Sequence, residues 1–339
     1  MLPVTSLGLK NIASTDRIPT GIQRLDTMLG GAGCYRGSSV LVSGTAGTGK
    51  SSIAAHFADA ACRRGERALY FAFEESPSQI MRNMRSIGID LEPWVQKDLL
   101  QFQATRPTFT GLEMHLTMIH KAVNAFKPKV VIVDPLSSFV MGGNKTEVKS
   151  MLMRLVDFLK MSKITSMFTM LTSKGGFVEA EDVAISSLID TWMSLLDIES
   201  GGERNRCLSV VKSRGMAHSN QIREFLLTDH GVELRDVYVG PEGVLTGSAR
   251  QAQEAQIQAR LMVKKQDVEL RHIELEGKRK ALEAQIVVLR SAFEAQEAEA
   301  MRIIRQEQAQ EKQLAKERID MEVSRKADTA TRKQKGGAK

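Results

Sequence analysis

The residues with the plainest chemical purpose run from Gly44 to Ser51, spaced as Gly44-x-x-x-x-Gly49-Lys50-Ser51. That spacing is the pattern of a phosphate-binding loop, the Walker A motif. Gly44, Gly47 and Gly49 let the backbone take conformations closed to other residues. Thr45, Ala46 and Thr48 fill the turn, whose N–H groups face inward around phosphate oxygens. A helix opening near Lys50 adds the positive end of its dipole, and the Lys50 ammonium reaches the β- and γ-phosphates. Ser51 offers its hydroxyl to Mg²⁺, and Ser52 completes the contact set.

Loop chemistry of this kind needs a metal-holding acid and a base or orienter for the attacking oxygen. Asp134 ends the apolar run Lys129–Asp134, where a Walker B aspartate would stand, and it is equally a turn former ahead of Pro135. Glu74 and Glu75 end a second run, Ala68–Phe73, read as the neighbouring buried strand. Two adjacent carboxylates can share a proton and serve as a base near neutral pH. Spacing alone reads the pair just as well as the start of a helix beside Ser76 and Pro77.

These residues need strands to carry them and helices to cover the strands. An apolar run precedes the loop, and Ile53, Ala54, Phe57, Ala58 and Ala61 follow at helical spacing. Helices are predicted from Ser76 through Met84, over Leu112 to Phe126 and over Val148 to Met161. Strands are predicted at Leu99 to Phe102 and Ser166 to Leu171, and then at Leu188 to Ile198, Cys207 to Val211 and Arg223 to Leu227. Alternation followed by hairpin-like strands argues for an α/β sheet with a parallel centre and an antiparallel edge.

From Ala249 to about Arg325 there is no proline, and Gly277 is the one glycine. Leu261, Val268, Leu275, Leu282, Leu289 and Ile303 recur at sevens, and Ile286 and Phe293 share the partner position. A long helix is predicted, with a coiled coil seeded between Leu282 and Phe293. The expected organisation is an arm over 1–17, an α/β domain over 18–246, the helix over 247–325 and a disordered basic tail over 326–339.

Of the formal charge of +7, a net +5 lies in residues 325–339, so the body is nearly neutral. That balance, with no basic aromatic-bearing loop, argues against a nucleic-acid motor. The three cysteines, Cys34, Cys62 and Cys207, are far apart and form no metal-spaced set. With no signal peptide and no spanning segment in view, a cytoplasmic protein without membrane contact is expected.

Taken together, RIPTGIQRLDTMLGGAG, GTAGTGKSS, ALYFAFEES, VVIVDPLSS and VVKSRGMAHSNQIREFLLTDHGVEL resemble the KaiC family of RecA-fold clock ATPases and autokinases, over about Leu2 to Leu234. The likeness is greater to the second, kinase-type repeat, because AEDVAISSLIDTW sits where that repeat carries its phosphorylation segment. The resemblance implies ATP and Mg²⁺ as cofactors, Lys50 and Ser51 on phosphate and metal, and Glu74 and Glu75 as the catalytic pair. Asp134 becomes the Walker B acid, sharing the metal with Ser51 and Glu75. It further implies a homohexameric ring in which Lys212 and Arg214 reach a neighbour's ATP, with Ser186 and Ser187 accepting phosphate beside Asp182. Lys149 stands at the position of an arginine finger, where lysine keeps the charge and loses the planar fork. The long helix replaces the tail on which an activator acts in the best-known members, and it would allow two rings to join through coiled coils. An accessory protein of the KaiB type is a further implied partner. The alternatives are a RecA- or DnaB-like ATPase stimulated by nucleic acid, and a nucleotide-regulated assembly scaffold.

Overall fold

A computed structural model describes residues 13–106, 111–140, 145–172, 187–200, 202–240 and 243–325. Ser186 and Asp182, the tail from residue 326 and the arm up to residue 12 lie outside the described residues.

The chain enters on strand β1 (Arg17–Ile18), which pairs antiparallel with β2 (Cys34–Tyr35) around the short helix α1 (Gln23–Met28). Arg17, counted with the arm in the sequence, is thus the first residue of a paired strand. Strand β3 (Ser39–Gly44) leads into the phosphate loop, and α2 (Lys50–Arg63) leads out of it. Strand β4 (Ala68–Ala72) is followed by helices α3 (Pro77–Arg85) and α4 (Glu92–Gln96) and by β5 (Leu100–Ala104). Helix α5 (Leu112–Phe126) precedes β6 (Val130–Asp134). Helices α6 (Ser137–Val140) and α7 (Lys145–Met161) then lead to β7 (Thr165–Leu171). Six strands close the domain: β8 (Thr191–Ser200), β9 (Glu203–Ser213), β10 (Arg223–Thr228), β11 (Gly231–Asp236) and the hairpin of β12 (Tyr238–Gly240) with β13 (Gly243–Leu245).

One nine-stranded sheet runs in the order β11-β10-β9-β8-β3-β7-β6-β4-β5. From β8 to β5 every pairing is parallel, and β9, β10 and β11 add an antiparallel edge. Strands β3 and β4 are buried along their whole length because both faces of the sheet are covered. On one face Leu25, Ile53, Phe57 and Ile80 pack against Val40, Tyr70 and Ile132. On the other, Leu116, Ile119, Leu152 and Leu155 pack against Leu41, Leu69 and Val131. Strand β4, which leads to Glu74 and Glu75, neighbours β6, the strand that ends at Asp134, as expected. It follows β3 in the chain, but β7 and β6 lie between them.

The C-terminal ends of parallel strands open on a single edge, where ligands bind in sheets of this kind. Here that edge carries Gly44, the residues after Ala72, Asp134 and the far end of β8.

The domain through Glu254 and the segment from Ala255 form two separate units. Helix α8 (Gly247–Ser324) opens inside the first unit, where Glu224, 2% exposed, accepts Gly247 N at 2.8 Å and pairs with Arg250 at 3.3 Å. The remainder of α8 buries none of its residues, although Leu282, Ile286, Leu289 and Phe293 are all large and apolar.

Candidate nucleotide-binding site

The phosphate loop owes its glycines to two different causes. Gly47 and Gly49 have φ of 78° and 99°, a region that favours glycine. Gly44 does not share that conformation. A Cβ there would come within 2.8 Å of Leu195 O and of Thr48 Oγ1, so what the position needs is space, and the expected backbone freedom applies only to the other two. Thr48 Oγ1 donates to Thr45 O at 2.8 Å and tightens the turn.

Lys50 Nζ donates to Gly44 O at 2.9 Å and to Thr45 O at 2.7 Å, so the ammonium lies along the loop. Burial pulls Lys50 below the usual lysine range, while the carboxylates of Asp134, Glu74 and Asp197 act in the opposite direction. The loop, the end of β6, the end of β4 and β8 therefore meet around one cation. Asp197 accepts Thr45 Oγ1 at 2.8 Å and Arg204 Nη2 at 2.5 Å. Burial works against the charge on Asp197, but these hydrogen bonds outweigh it and hold the carboxyl below its usual range.

Asp134 is clamped from both flanking strands. Tyr70 of β4 donates its hydroxyl to Asp134 Oδ2 at 2.5 Å, and Thr169 of β7 donates to Oδ1. Burial is the first cause that pushes the Tyr70 phenol well above its usual range. The Asp134 charge and hydrogen bond add to it, and a hydrogen bond with Ser51 acts the other way. Glu74 and Glu75 are both exposed at this edge and face different partners. Ser138 Oγ donates to Glu74 Oε1 at 3.2 Å, and Asn83 Nδ2 donates to Glu75 Oε2 at 3.1 Å. The two carboxylates thus have separate hydrogen-bond donors. The helix start that competed for them belongs to the next residues, because Ser76 caps α3 in a box with Gln79, with Pro77 in the first turn.

Serine hydroxyl and carboxylate are hard oxygen donors. They suit Mg²⁺, which takes one or two carboxylates and keeps its other positions for phosphate and water. Among the described residues no group of three His, Cys, Asp or Glu side chains is arranged to hold a metal by itself, so a cation here would draw on phosphate oxygens as well.

Lys212 and Arg214 do not join this cluster. Gly44 pairs with Leu195, whereas Lys212 lies opposite Trp192, and Ser213 opposite Thr191, which pairs with Val40. Both basic residues therefore sit toward the other end of β3, about 10 Å or more along the strand before the loop begins. Arg214 N donates to Asp190 O at 2.8 Å and its Nη2 donates to Ser187 O at 2.9 Å, so Ser187, which is exposed, shares that edge. Burial first, and Arg214 next, hold the Lys212 ammonium below its usual range. Lys149 is exposed on α7.

A family model described as the KaiC ATPase matches residues 18–237. The chain belongs to the KaiC family. Its mixed sheet with helices on both faces is the RecA-like α/β domain that the resemblance implied. It is 50% identical over 303 residues to the circadian clock protein KaiC2 of Synechocystis sp., covering 88% of this chain and 53% of that protein. It is 36% identical over 251 residues to the circadian clock oscillator protein KaiC of Acaryochloris marina, and 34% identical over 251 residues to that of Synechococcus elongatus. In both cases 73% of this chain and 48% of the relative are covered. The chain thus spans about half the length of the curated relatives it matches. The KaiC2 match is longer than the 254 residues ahead of Ala255, so it includes part of the long helix.

Tyr70, Thr169, Asp197, Arg204 and Ser138 were missed in the sequence. Tyr70 did carry a signal, since a phenol inside a strand covered on both faces must find a polar partner. Thr169, fully buried in β7, carried the same one.

One titratable group bears on the loop helix. His56 of α2 accepts Val232 N of β11 at 2.8 Å through Nε2, and burial holds its imidazole below 6.5, with Asp59 opposing and Arg63 reinforcing the shift. The native state keeps His56 neutral while the unfolded chain takes up a proton below pH 6.5. Stability is therefore full above that pH and falls as the pH drops, by at most about 1.4 kcal/mol per unit from this group. Urea unfolding at pH 7.5 and 5.5 should show a smaller loss for His56→Gln than for the native chain.

Proposed function

We propose that this chain is an ATP-hydrolysing subunit of a homohexameric, KaiC-type ring whose active sites are each completed by the neighbour, and that it transfers phosphate to Ser186 or Ser187. The observation that supports it most is the separation of the two halves. Phosphate loop, Glu74, Glu75 and Asp134 open on one edge, while Lys212, Arg214 and Ser187 gather at the other. Two such faces are complementary head to tail, and a heterologous contact that closes on itself makes a ring.

In this reading the loop N–H groups and Lys50 hold the β- and γ-phosphates, and Lys212 and Arg214 of the adjoining subunit neutralise charge developing on the transferred group. Mg²⁺, when bound, supplies further charge neutralisation beside Ser51, Asp134 and Glu75. Glu75, with Glu74 as orienter, takes the proton from water or from a seryl hydroxyl as that oxygen bonds to the γ-phosphorus and the bond to ADP breaks. The products are ADP with either phosphate or phosphoserine. Phosphorylation adds up to two negative charges beside Arg214 and so changes which pairs form at the ring contact. In this reading the activity serves a circadian or simpler timer system, which the clock proteins among its relatives support, and a KaiB-type protein is its partner.

Incubation with ATP followed by phosphosite mapping tests the transfer. Phosphate is expected at Ser186 or Ser187 in the native chain and should be absent from Glu75→Gln. No phosphate anywhere in residues 182–191 of the native chain sinks the autokinase half and leaves hydrolysis standing.

Helix α8 favours an added role in assembly. A helix 78 residues long with nothing buried needs a partner for its apolar positions, and the same helix of another copy supplies one. Joined tail to tail, two rings should separate when Leu282→Glu and Leu289→Glu are introduced together. Native mass should then halve while ATP hydrolysis persists.

A further inference from the structure

Tyr70 holds one of the oxygens that the nucleotide reading assigns to the metal. It is fully buried, and its hydroxyl donates to Asp134 Oδ2 at 2.5 Å. A phenol has one proton, and here it goes to the carboxylate. On the far side of Asp134 the Thr169 hydroxyl holds the second carboxylate oxygen, so the carboxylate cannot rotate. With each oxygen already accepting one hydroxyl, the remaining lone pairs of Asp134 suit water molecules that Mg²⁺ retains, in preference to a bare ion.

We infer that Tyr70 is a positioning residue of the metal half of the site, which together with Thr169 fixes the Asp134 carboxylate for metal-bound water. The inference rests on the ATP–Mg²⁺ reading of this loop and adds a residue that the Walker motifs do not include. Tyr70→Phe keeps the ring and its packing and removes only this hydrogen bond.

The test is a Mg²⁺ titration of ATP binding and of hydrolysis in the full chain. For Tyr70→Phe the half-saturating Mg²⁺ concentration should rise about tenfold, the scale at which groups behind a metal ligand act. Affinity for ATP in EDTA should stay close to that of the native chain. In an Asp134→Asn background the Tyr70 substitution should add little, because its effect passes through Asp134. An unchanged Mg²⁺ midpoint in a folded Tyr70→Phe protein overturns the inference, as does a full additive effect on Asp134→Asn. Should Tyr70→Phe fail to fold, the native sequence carrying 3-fluorotyrosine decides. Mg²⁺ added to its ATP complex should shift the ¹⁹F resonance that remains when Tyr35→Phe and Tyr238→Phe remove the other two, and an unmoved resonance overturns the inference. A native chain that binds ATP with no response to Mg²⁺ also overturns it while leaving ATP binding intact. A native chain that binds no ATP at all removes the reading on which it stands.

Discussion

Lys50→Ala should cut ATP hydrolysis by at least about a hundredfold, the loss typical when one preorganised charge is taken from a developing oxyanion. The expected cost has two parts. The ammonium is the one positive group placed against Gly44 O and Thr45 O, and it also stands among Asp134, Glu74 and Asp197. Without it an incoming triphosphate meets three carboxylates and no lysine, so binding falls along with turnover. Fluorescent-nucleotide binding and phosphate release should both be lost, with circular dichroism unchanged. Hydrolysis near the native rate would remove Lys50 from the site and with it the assignment of the loop.

Arg214→Ala should lower turnover by about two orders of magnitude while shifting the unfolding midpoint little. Arg214 is exposed, and its side-chain bond within the subunit goes to Ser187 O. An exposed hydrogen bond of that kind contributes on the order of 1 kcal/mol. A cation that reaches a neighbour's γ-phosphate is worth far more, as arginines supplied from a second protein show. Arg214→Lys should recover only part of the loss, because the planar fork is gone. The diagnostic split is between a large kinetic defect and a small stability defect. Equal, small changes in both would make Arg214 a surface residue of its own edge.

Much of this site could be read from the residues alone, since the chemistry of a phosphate loop is local. Gly47, Gly49, Lys50 and Ser51 lie within five residues, and the apolar runs ending at Asp134 and before Glu74 could be recognised as buried strands without knowing their partners. What could not be read was lateral order. That β7 and β6 lie between β3 and β4 depends on pairings far apart in the chain, and so does the clamp on Asp134 by Tyr70 and Thr169. The reason for Gly44 was hidden in the same way, because it lies in Leu195 of β8. Antiparallel edge strands are also harder to place than central ones. Strand β9 runs over Glu203–Ser213, well beyond its apolar centre, and β11 carries alternating charge that resembles a loop. The long helix was legible from its heptads, and its first turn, at Gly247, is tied down by Glu224.

Complementation tests the shared site most directly. Lys50→Ala subunits lack a working loop but keep Arg214, and Arg214→Ala subunits have the reverse defect. Each alone should be nearly inactive. Co-assembled at equal ratio, with mixed particles confirmed by native mass, random placement in a ring gives about a quarter of contacts an intact loop facing an intact arginine. The account predicts that ATPase activity returns to roughly that fraction of the native rate. Mixed particles that form and stay inactive would contradict it.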